Sequence, residues 1–343
     1  MTVSYVQQHY FSSVTRQSSS TWPLREAQPK SIPLKHSSRV CCTSAYSSSP
    51  DQRRCKKKDK VLVVLGATGC GKSNLAVHVA TRLGLAAEII NSDKMQVYSG
   101  LDITTNKIPM QDRRGISHRL LGDVHPVRNP DFTAADFRLA AGSMIRAMSS
   151  NGTLPIIAGG SNSFLHALLV DKFDKKLDDV ESGPVPLRYD CCFLWVDVAF
   201  PVLREYLCER VDEMVTGGML KELERFFARL NSDSDYNLQK GVGLMKAIGV
   251  PELEEYFTRC RTESTLEEAV GLIKENTCEL AKRQIGKIVR LRDIAGWQMQ
   301  RVDATSAVET KRRKDESWEI AWERGIVEPT VAIVRQFVDD SDY

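Results

Sequence analysis

The chain has 343 residues, enough for one large domain or two modest ones, and it is 42% hydrophobic and 27% charged, as is usual for a globular protein. No apolar run approaches the roughly 20 residues that a membrane span needs, so the sequence does not indicate a membrane partner. The net charge of +3 hides an asymmetry, because residues 1–58 hold ten Lys or Arg and two acids, which leaves the other 285 residues at −5. An acidic body of this kind does not indicate a nucleic-acid partner. The nine Cys show no metal-ligand spacing and are interpreted as reduced thiols.

Residues 1–58 are predicted to be a disordered N-terminal targeting segment. The first fifty residues contain thirteen Ser, five Lys or Arg and one acid. Such a stretch buries too little apolar surface to fold, and its composition is typical of an organelle transit peptide. Ser outweighs Arg, which favours a plastid over a mitochondrion. A plain disordered tail on a cytoplasmic protein, or a nuclear signal in the basic cluster at 53–58, are the alternatives.

The rest of the chain predicts an α/β fold, with a P-loop parallel sheet flanked by helices and a helical second domain or lid. We predict a P-loop core at 59–199, a helical substrate-binding region at 200–297, and a return strand with a C-terminal helix or tail at 298–343. The predicted strands are Lys60–Leu65, Glu88–Asn91, Leu154–Ala158, Phe193–Val198 and Gln300–Asp303. The clearest predicted helices are Asn74–Leu83, Thr133–Ser150, Val202–Thr216, Met219–Leu230 and Thr265–Ala295.

An octet between the first predicted strand and helix fits the phosphate-loop pattern G-x-x-x-x-G-K-[ST] in full. Its glycines let successive backbone N–H groups turn towards an anion, and the following helix adds its positive N-terminal end. In this pattern Lys72 reaches the outer phosphate and Ser73 binds Mg²⁺. The octet alone does not identify the phosphate compound. It consists of Gly66, Ala67, Thr68, Gly69, Cys70, Gly71, Lys72 and Ser73.

Two further groups follow the next predicted strands, at the edge of a parallel sheet where ligands bind. Asp93 ends the second strand and has three open roles: a Mg²⁺ ligand through water, a proton acceptor, or a structural cap. Ser161 and Asn162 lie in a turn of sequence Gly-Gly-Ser-Asn at 159–162, here called the Gly-Gly turn, which precedes a predicted helix. Ser161 is a predicted N-cap of that helix. This turn is either a second anion contact or a purely structural one.

The helix at 276–293 carries a basic face. Arg283, Lys287 and Arg290 are spaced to lie together, and they face either solvent or a diphosphate, whose oxygens pair well with Arg.

These strings together resemble the isopentenyltransferase family, which comprises tRNA dimethylallyltransferases and plant adenylate isopentenyltransferases. The resemblance runs from about residue 61 to residue 305, and the plant adenylate branch is the more similar. The motifs that carry it, besides the octet, lie at 91–107, 118–122, 131–133, 158–163, 210–215, 247–252, 276–278 and 283–284.

The resemblance implies a prenyl transfer from dimethylallyl diphosphate to the N6 amine of an adenine nucleotide, ADP or ATP and also AMP, as the first step of cytokinin biosynthesis. The diphosphate would bind the loop at 66–73, and Asp93 would take the N6 proton. Lys72 and a Mg²⁺ on Ser73 would stabilise the leaving group. Other substrate contacts are expected from Ser161, Asn162, Arg283 and Lys246.

Two positions depart from the family pattern. Met245 stands where the family commonly has Arg, and Lys246 compensates only in part because Lys lacks the bidentate fork. Arg119 stands where plant relatives often have a second His.

Three alternative functions stay open: a tRNA dimethylallyltransferase, a P-loop small-molecule kinase, and a non-catalytic nucleotide sensor. The acidic body and the absence of any Cys after Cys278 favour a free nucleotide over tRNA.

Overall fold

A six-stranded, fully parallel sheet with strand order β3-β2-β4-β1-β5-β6 forms the centre of the protein in a computed structural model. The structure describes residues 58–174, 183–232, 236 and 238–340, so the predicted targeting segment lies outside the described residues apart from Lys58. The parallel sheet and its flanking helices confirm the predicted fold class. The strands are β1 (Lys60–Gly66), β2 (Ala87–Asn91), β3 (His118–Arg119), β4 (Leu154–Gly159), β5 (Asp190–Asp197) and β6 (Met299–Asp303).

Helices cover both faces of this sheet. Alternate residues of β1 enter different apolar clusters, with Val63 packing on one face and Leu62 on the other. A strand buried on both faces must be apolar throughout, which explains the continuous hydrophobic run that predicted β1. The helices are α1 (Lys72–Arg82), α2 (Ala134–Ser150), α3 (Asn162–Leu169), α4 (Phe200–Met214), α5 (Leu220–Ser232), α6 (Val250–Thr258), α7 (Glu263–Asp293), α8 (Thr305–Arg312), α9 (Trp318–Trp322) and α10 (Glu328–Asp339).

Local capping chemistry fixes several helix starts. Thr133 and Asp136 form the predicted capping box at the start of α2, and the Ser161 hydroxyl accepts the N–H of Phe164 at the start of α3. A wide turn at 215–219, in which Gly218 has a φ of 111°, separates α4 from α5. Within the described residues, no helix combines the length and the apolarity needed to cross a membrane.

Several elements were not predicted from the sequence. The C-terminal segment, predicted as a helix or tail, contains the three helices α8, α9 and α10. β3 has only two residues, too few for an alternating pattern. α6 is nine residues long and has a Pro in its first turn, a helix-start signal that lies inside the motif at 247–252. The β6 return strand is confirmed by its pairing with β5. The proposed domain boundaries at 59, 200 and 298 stay a prediction.

Candidate active site

The phosphate loop joins β1 to α1 at the carboxyl edge of the sheet. Gly71 is the N-cap of α1 with a φ of 91°, and no side chain of the described residues caps the helix. The first N–H groups of α1 therefore point outwards without a side-chain partner, as an anion site requires. A Cβ on Gly71 would lie 2.4 Å from Cη2 of Trp322, so both the left-handed backbone and the close indole ring demand glycine here.

Lys72 folds back over this loop. Its Nζ donates to the carbonyl oxygen of Ala67 at 2.6 Å and lies 3.9 Å from the Sγ of Cys70. Burial raises the pKa of the Cys70 thiol, against the opposing influence of Lys72, so the thiol is neutral. The ammonium group is thus the local positive charge that an incoming phosphate would meet. Ser73, the next residue, is exposed.

Two helices from the 200–297 region converge on Thr68. Gln284 of α7 is 8% exposed, and its Oε1 accepts the Thr68 N–H at 2.7 Å while its Nε2 donates to the Gly160 carbonyl oxygen at 3.0 Å. Arg210 of α4 donates from its terminal NH₂ group to the Thr68 hydroxyl at 3.0 Å. Gln284 therefore bridges the phosphate loop and the Gly-Gly turn, while Arg210 brings a guanidinium to the same point.

The Arg210 guanidinium keeps an N–H group that is able to donate to an anion. Its Nε is buried and has no partner among the residues that the structure describes. Burial lowers the pKa of Arg210, and nearby acidic groups, Asp93 among them, act in the opposite direction. Sequence reasoning did not assign a role to Arg210. A usable signal existed, because Arg210 follows Leu203 and Leu207 at helical spacing and so shares the buried face of α4.

Asp93 follows β2 at the same edge and closes a tight turn. One carboxylate oxygen, Oδ1, accepts the N–H groups of Met95 at 2.9 Å and Gln96 at 3.2 Å. The capping role is therefore real. In the described part of the chain, Oδ2 has no hydrogen-bond partner, so the same carboxylate keeps one oxygen for a ligand or a proton. Its orientation is fixed by the two bonds to Oδ1.

The Gly-Gly turn follows β4, which lies between β2 and β1 in the sheet. The turn therefore lies between Asp93, which follows β2, and the phosphate loop, which follows β1. The Asn162 side chain is buried, and its Nδ2 donates to the backbone oxygen of Gln284 at 3.2 Å, while its Oδ1 has no partner among the described residues. The Ser161 N–H donates to the backbone oxygen of Ser92 at 3.1 Å. Both predicted residues are thus part of the framework around the phosphate loop, and their substrate contacts stay a prediction.

The remaining predicted contacts are peripheral in this structure. Arg283 and Lys246 are exposed, and no hydrogen bond or ion pair in the described residues joins either to the phosphate loop. Met245, which departs from the Arg that the resemblance implies, is 9% exposed and packs in an apolar cluster. Roles for Arg283 and Lys246 in substrate binding stay predictions.

The side chains at this edge of the sheet offer oxygen atoms as ligands for a metal ion. The described residues contain no group of three or more His, Cys, Asp or Glu side chains placed to hold a metal ion. The Ser73 hydroxyl and the Asp93 carboxylate lie at the carboxyl edge of the sheet, and both suit a hard cation such as Mg²⁺. Mg²⁺ commonly takes few protein ligands and completes its shell with water and substrate phosphates. The residues present therefore fit this cation.

Comparison with known proteins connects this geometry to a family. Residues 96–183 and 173–287 match the family model described as IPP transferase. Adenylate isopentenyltransferase 1, chloroplastic, from Arabidopsis thaliana is 49% identical over 82% of this chain and 81% of its own length. Adenylate isopentenyltransferase from Humulus lupulus is 48% identical over 81% and 90%. A solved eukaryotic dimethylallyltransferase acting on tRNA superposes with a TM-score of 0.68 at 24% identity, covering 82% of this chain and 80% of that one, which shows a shared fold.

Proposed function

The chain belongs to the IPP transferase family, and we propose that it transfers a dimethylallyl group from dimethylallyl diphosphate to the N6 amine of ADP or ATP, with release of diphosphate. AMP is a third acceptor of the same chemistry. The relatives named adenylate isopentenyltransferases, at 48% and 49% identity, support this activity. The observation that carries it is the placement of Lys72 and Asp93 at one sheet edge, which sets an anion site beside a fixed carboxylate.

In the proposed reaction the N6 lone pair forms a bond to the allylic carbon. The bond between that carbon and the diphosphate oxygen breaks, and its electron pair leaves with diphosphate. Asp93 takes the N6 proton through Oδ2, because Oδ1 already accepts the N–H groups of Met95 and Gln96. An aromatic amine is a poor nucleophile, so a carboxylate held in one orientation helps by aligning the lone pair.

Positive groups of this chain stabilise the leaving diphosphate. Lys72, the first turn of α1 and the Arg210 guanidinium provide preorganised charge at the loop. The Thr68 N–H already donates to Gln284 and is not available to the diphosphate, whereas the N-terminus of α1 offers backbone donors. Mg²⁺, held by the Ser73 hydroxyl and diphosphate oxygens, would neutralise negative charge as it develops.

A free nucleotide is the proposed acceptor. Residues 59–343 carry a net charge of −5, whereas a protein that grips tRNA commonly presents a basic surface. The solved neighbour that acts on tRNA shares the fold at 24% identity and does not decide the acceptor of this chain. The product, an N6-prenylated adenine nucleotide, makes the proposed reaction the first step of cytokinin biosynthesis.

A parallel assay tests this proposal. The protein is incubated with labelled dimethylallyl diphosphate, Mg²⁺ and AMP, ADP, ATP or tRNA. Label in ADP or ATP is the expected result, and label in tRNA alone would contradict a nucleotide acceptor. ADP formed from ATP without prenylated product would indicate a kinase. Turnover comparable to that of a Met245→Arg variant would exclude a non-catalytic sensor.

We also propose that the protein acts in a plastid. The N-terminal composition supports this, and the Arabidopsis thaliana relative at 49% identity is named chloroplastic. A fluorescent protein fused to residues 1–58 should enter plastids, whereas a fusion to residues 59–343 should not. Fluorescence of the first fusion in mitochondria, nucleus or cytoplasm would contradict the proposal.

A further inference from the structure

The short strand β3 brings an imidazole to the edge of the candidate active site. Pairing with β2 sets His118 opposite Ile89. The His118 Nδ1 lies 2.9 Å from the carbonyl oxygen of Ile116. A carbonyl oxygen can only accept a hydrogen bond, so Nδ1 carries the proton and Nε2 of the neutral ring is an acceptor. Burial lowers the pKa of His118, which favours the neutral ring.

The acceptor atom of this ring has no hydrogen-bond donor opposite it within the described residues. Nε2 is buried and has no hydrogen-bond partner among the described residues. His118 lines a cavity of about 10 Å³, together with Ser73, Asn91 and Gln96. That volume is close to the minimum for one water molecule, roughly 10–15 Å³ on the same measure, and four of the eight lining residues are polar. A buried acceptor without a partner is unfavourable, so an occupant that donates a hydrogen bond fits this position.

The other polar groups of the cavity define the occupant further. The Asn91 amide donates to the Leu120 carbonyl oxygen at 2.8 Å. The Gln96 amide donates to the carbonyl oxygens of two residues in the following loop, each at 3.0 Å. Both N–H groups of the Gln96 amide and one of the Asn91 amide are thus engaged. The two amide oxygens offer acceptors, whereas the second Asn91 N–H and the Ser73 hydroxyl are able to donate. Water suits this set, because it donates two hydrogen bonds and accepts others.

We propose that His118 is a positioning residue for Ser73: its Nε2 accepts a hydrogen bond from one water molecule in this cavity, and that water accepts a hydrogen bond from the Ser73 hydroxyl. The lone pairs of the Ser73 oxygen then point away from the cavity, towards the diphosphate and its Mg²⁺. The inference rests on the proposed function, which places the diphosphate at the loop that ends with Ser73. This role accounts for the presence of His118 in β3, at the start of the motif at 118–122.

Two substitutions separate the acceptor from the bulk of the ring. His118→Leu removes Nε2 and should weaken the binding of inorganic diphosphate, measured by calorimetry at fixed Mg²⁺, about 10-fold, as is typical for groups that orient a metal ligand. His118→Gln places an amide oxygen near the Nε2 position and should stay within about threefold of the unaltered protein. The control His125→Gln should change nothing, since His125 is exposed and its Nδ1 serves only a local turn.

A spectroscopic measurement on the unaltered protein is independent of how the variants fold. A long-range ¹H–¹⁵N correlation spectrum should show the His118 ring protonated on Nδ1 and not on Nε2. A proton on Nε2, or equal losses of diphosphate affinity in the Gln and Leu variants, would overturn the proposal. If the unaltered protein prenylates none of the acceptors, the proposed function fails, while diphosphate binding and the ring tautomer still test His118.

Discussion

Gln284 offers the sharpest test of how the helical region supports the phosphate loop. Replacing it with Leu keeps most of the side-chain volume but removes both amide hydrogen bonds. The Thr68 N–H and the Gly160 carbonyl oxygen then lose their partners at 2.7 Å and 3.0 Å. The bond from Asn162 survives, because it goes to the backbone oxygen of Gln284. The variant therefore isolates the bridge between the two loops.

The expected loss of stability follows from the burial of these two groups. A buried polar group without a partner costs about 1–3 kcal/mol. Gly160 is buried, but Thr68 is only half-buried and its N–H regains some hydration. We therefore expect Gln284→Leu to lower the free energy of unfolding by about 2–4 kcal/mol. Diphosphate affinity should fall as well, because Thr68 belongs to the phosphate loop.

A second variant tests the same bridge through pH. Gln284→Glu keeps an acceptor for the Thr68 N–H but sets a carboxylate against the Gly160 carbonyl oxygen. Burial and this contact should raise the pKa of the introduced Glu in the folded state above its unfolded value of about 4.3. The folded variant then holds a proton that the unfolded chain has released. Its stability relative to the unaltered protein is highest below about pH 4.3 and falls as the pH rises to the folded-state pKa.

Denaturant unfolding at several pH values measures both effects. Gln298→Leu is the matched control, because Gln298 is exposed and bonds only weakly to the Gly296 carbonyl oxygen at 3.4 Å. The control should stay within about 0.5 kcal/mol of the unaltered protein. The bridge between the phosphate loop and the Gly-Gly turn would be refuted by a Gln284→Leu variant as stable as this control. A Gln284→Glu variant whose relative stability does not depend on pH would refute it as well.

Three further substitutions test other parts of the site. Asp93→Asn keeps the acceptor for the two turn N–H groups, so it should lower kcat about 10²–10⁴-fold without lowering Tm or diphosphate affinity, and near-normal turnover would refute the base assignment. Arg210→Lys should raise KM for dimethylallyl diphosphate about 10-fold in steady-state kinetics, because Lys lacks the bidentate fork. The control Arg204→Lys should leave KM unchanged, because Arg204 is exposed. Equal KM values for the two variants would show that Arg210 does not bind the diphosphate. Gly71→Ala should destabilise the fold by about 1–3 kcal/mol in a denaturant titration, because of its φ of 91° and the contact with Trp322, while Gly286→Ala in open space on α7 should not; similar stabilities would contradict this packing argument.

Local patterns in the sequence indicated two parts of the candidate site, and their substrate contacts stay a prediction. The octet at 66–73 was recognisable because a phosphate loop is built from consecutive residues between a strand and a helix. The position of Asp93 followed from the rule that parallel strands end at one edge. The contacts of Gln284 with Thr68 and Gly160 join residues more than 120 positions apart, and no local pattern encodes them. Arg283, its neighbour, was the predicted contact, and it is exposed.

The amino-acid sequence by itself determined the elements whose causes are local: the apolar runs of the central strands, the capping box at Thr133, and the glycines of the phosphate loop. Tertiary structure alone decided which distant side chains complete that loop. Arg210 and Gln284 meet at Thr68 because α4 and α7 pack over the same sheet edge, and Trp322 closes on Gly71 from a C-terminal segment in which the sequence showed no chemistry. The physical reason is that burial and long-range hydrogen bonds depend on how helices pack, whereas turns and caps depend on neighbouring residues.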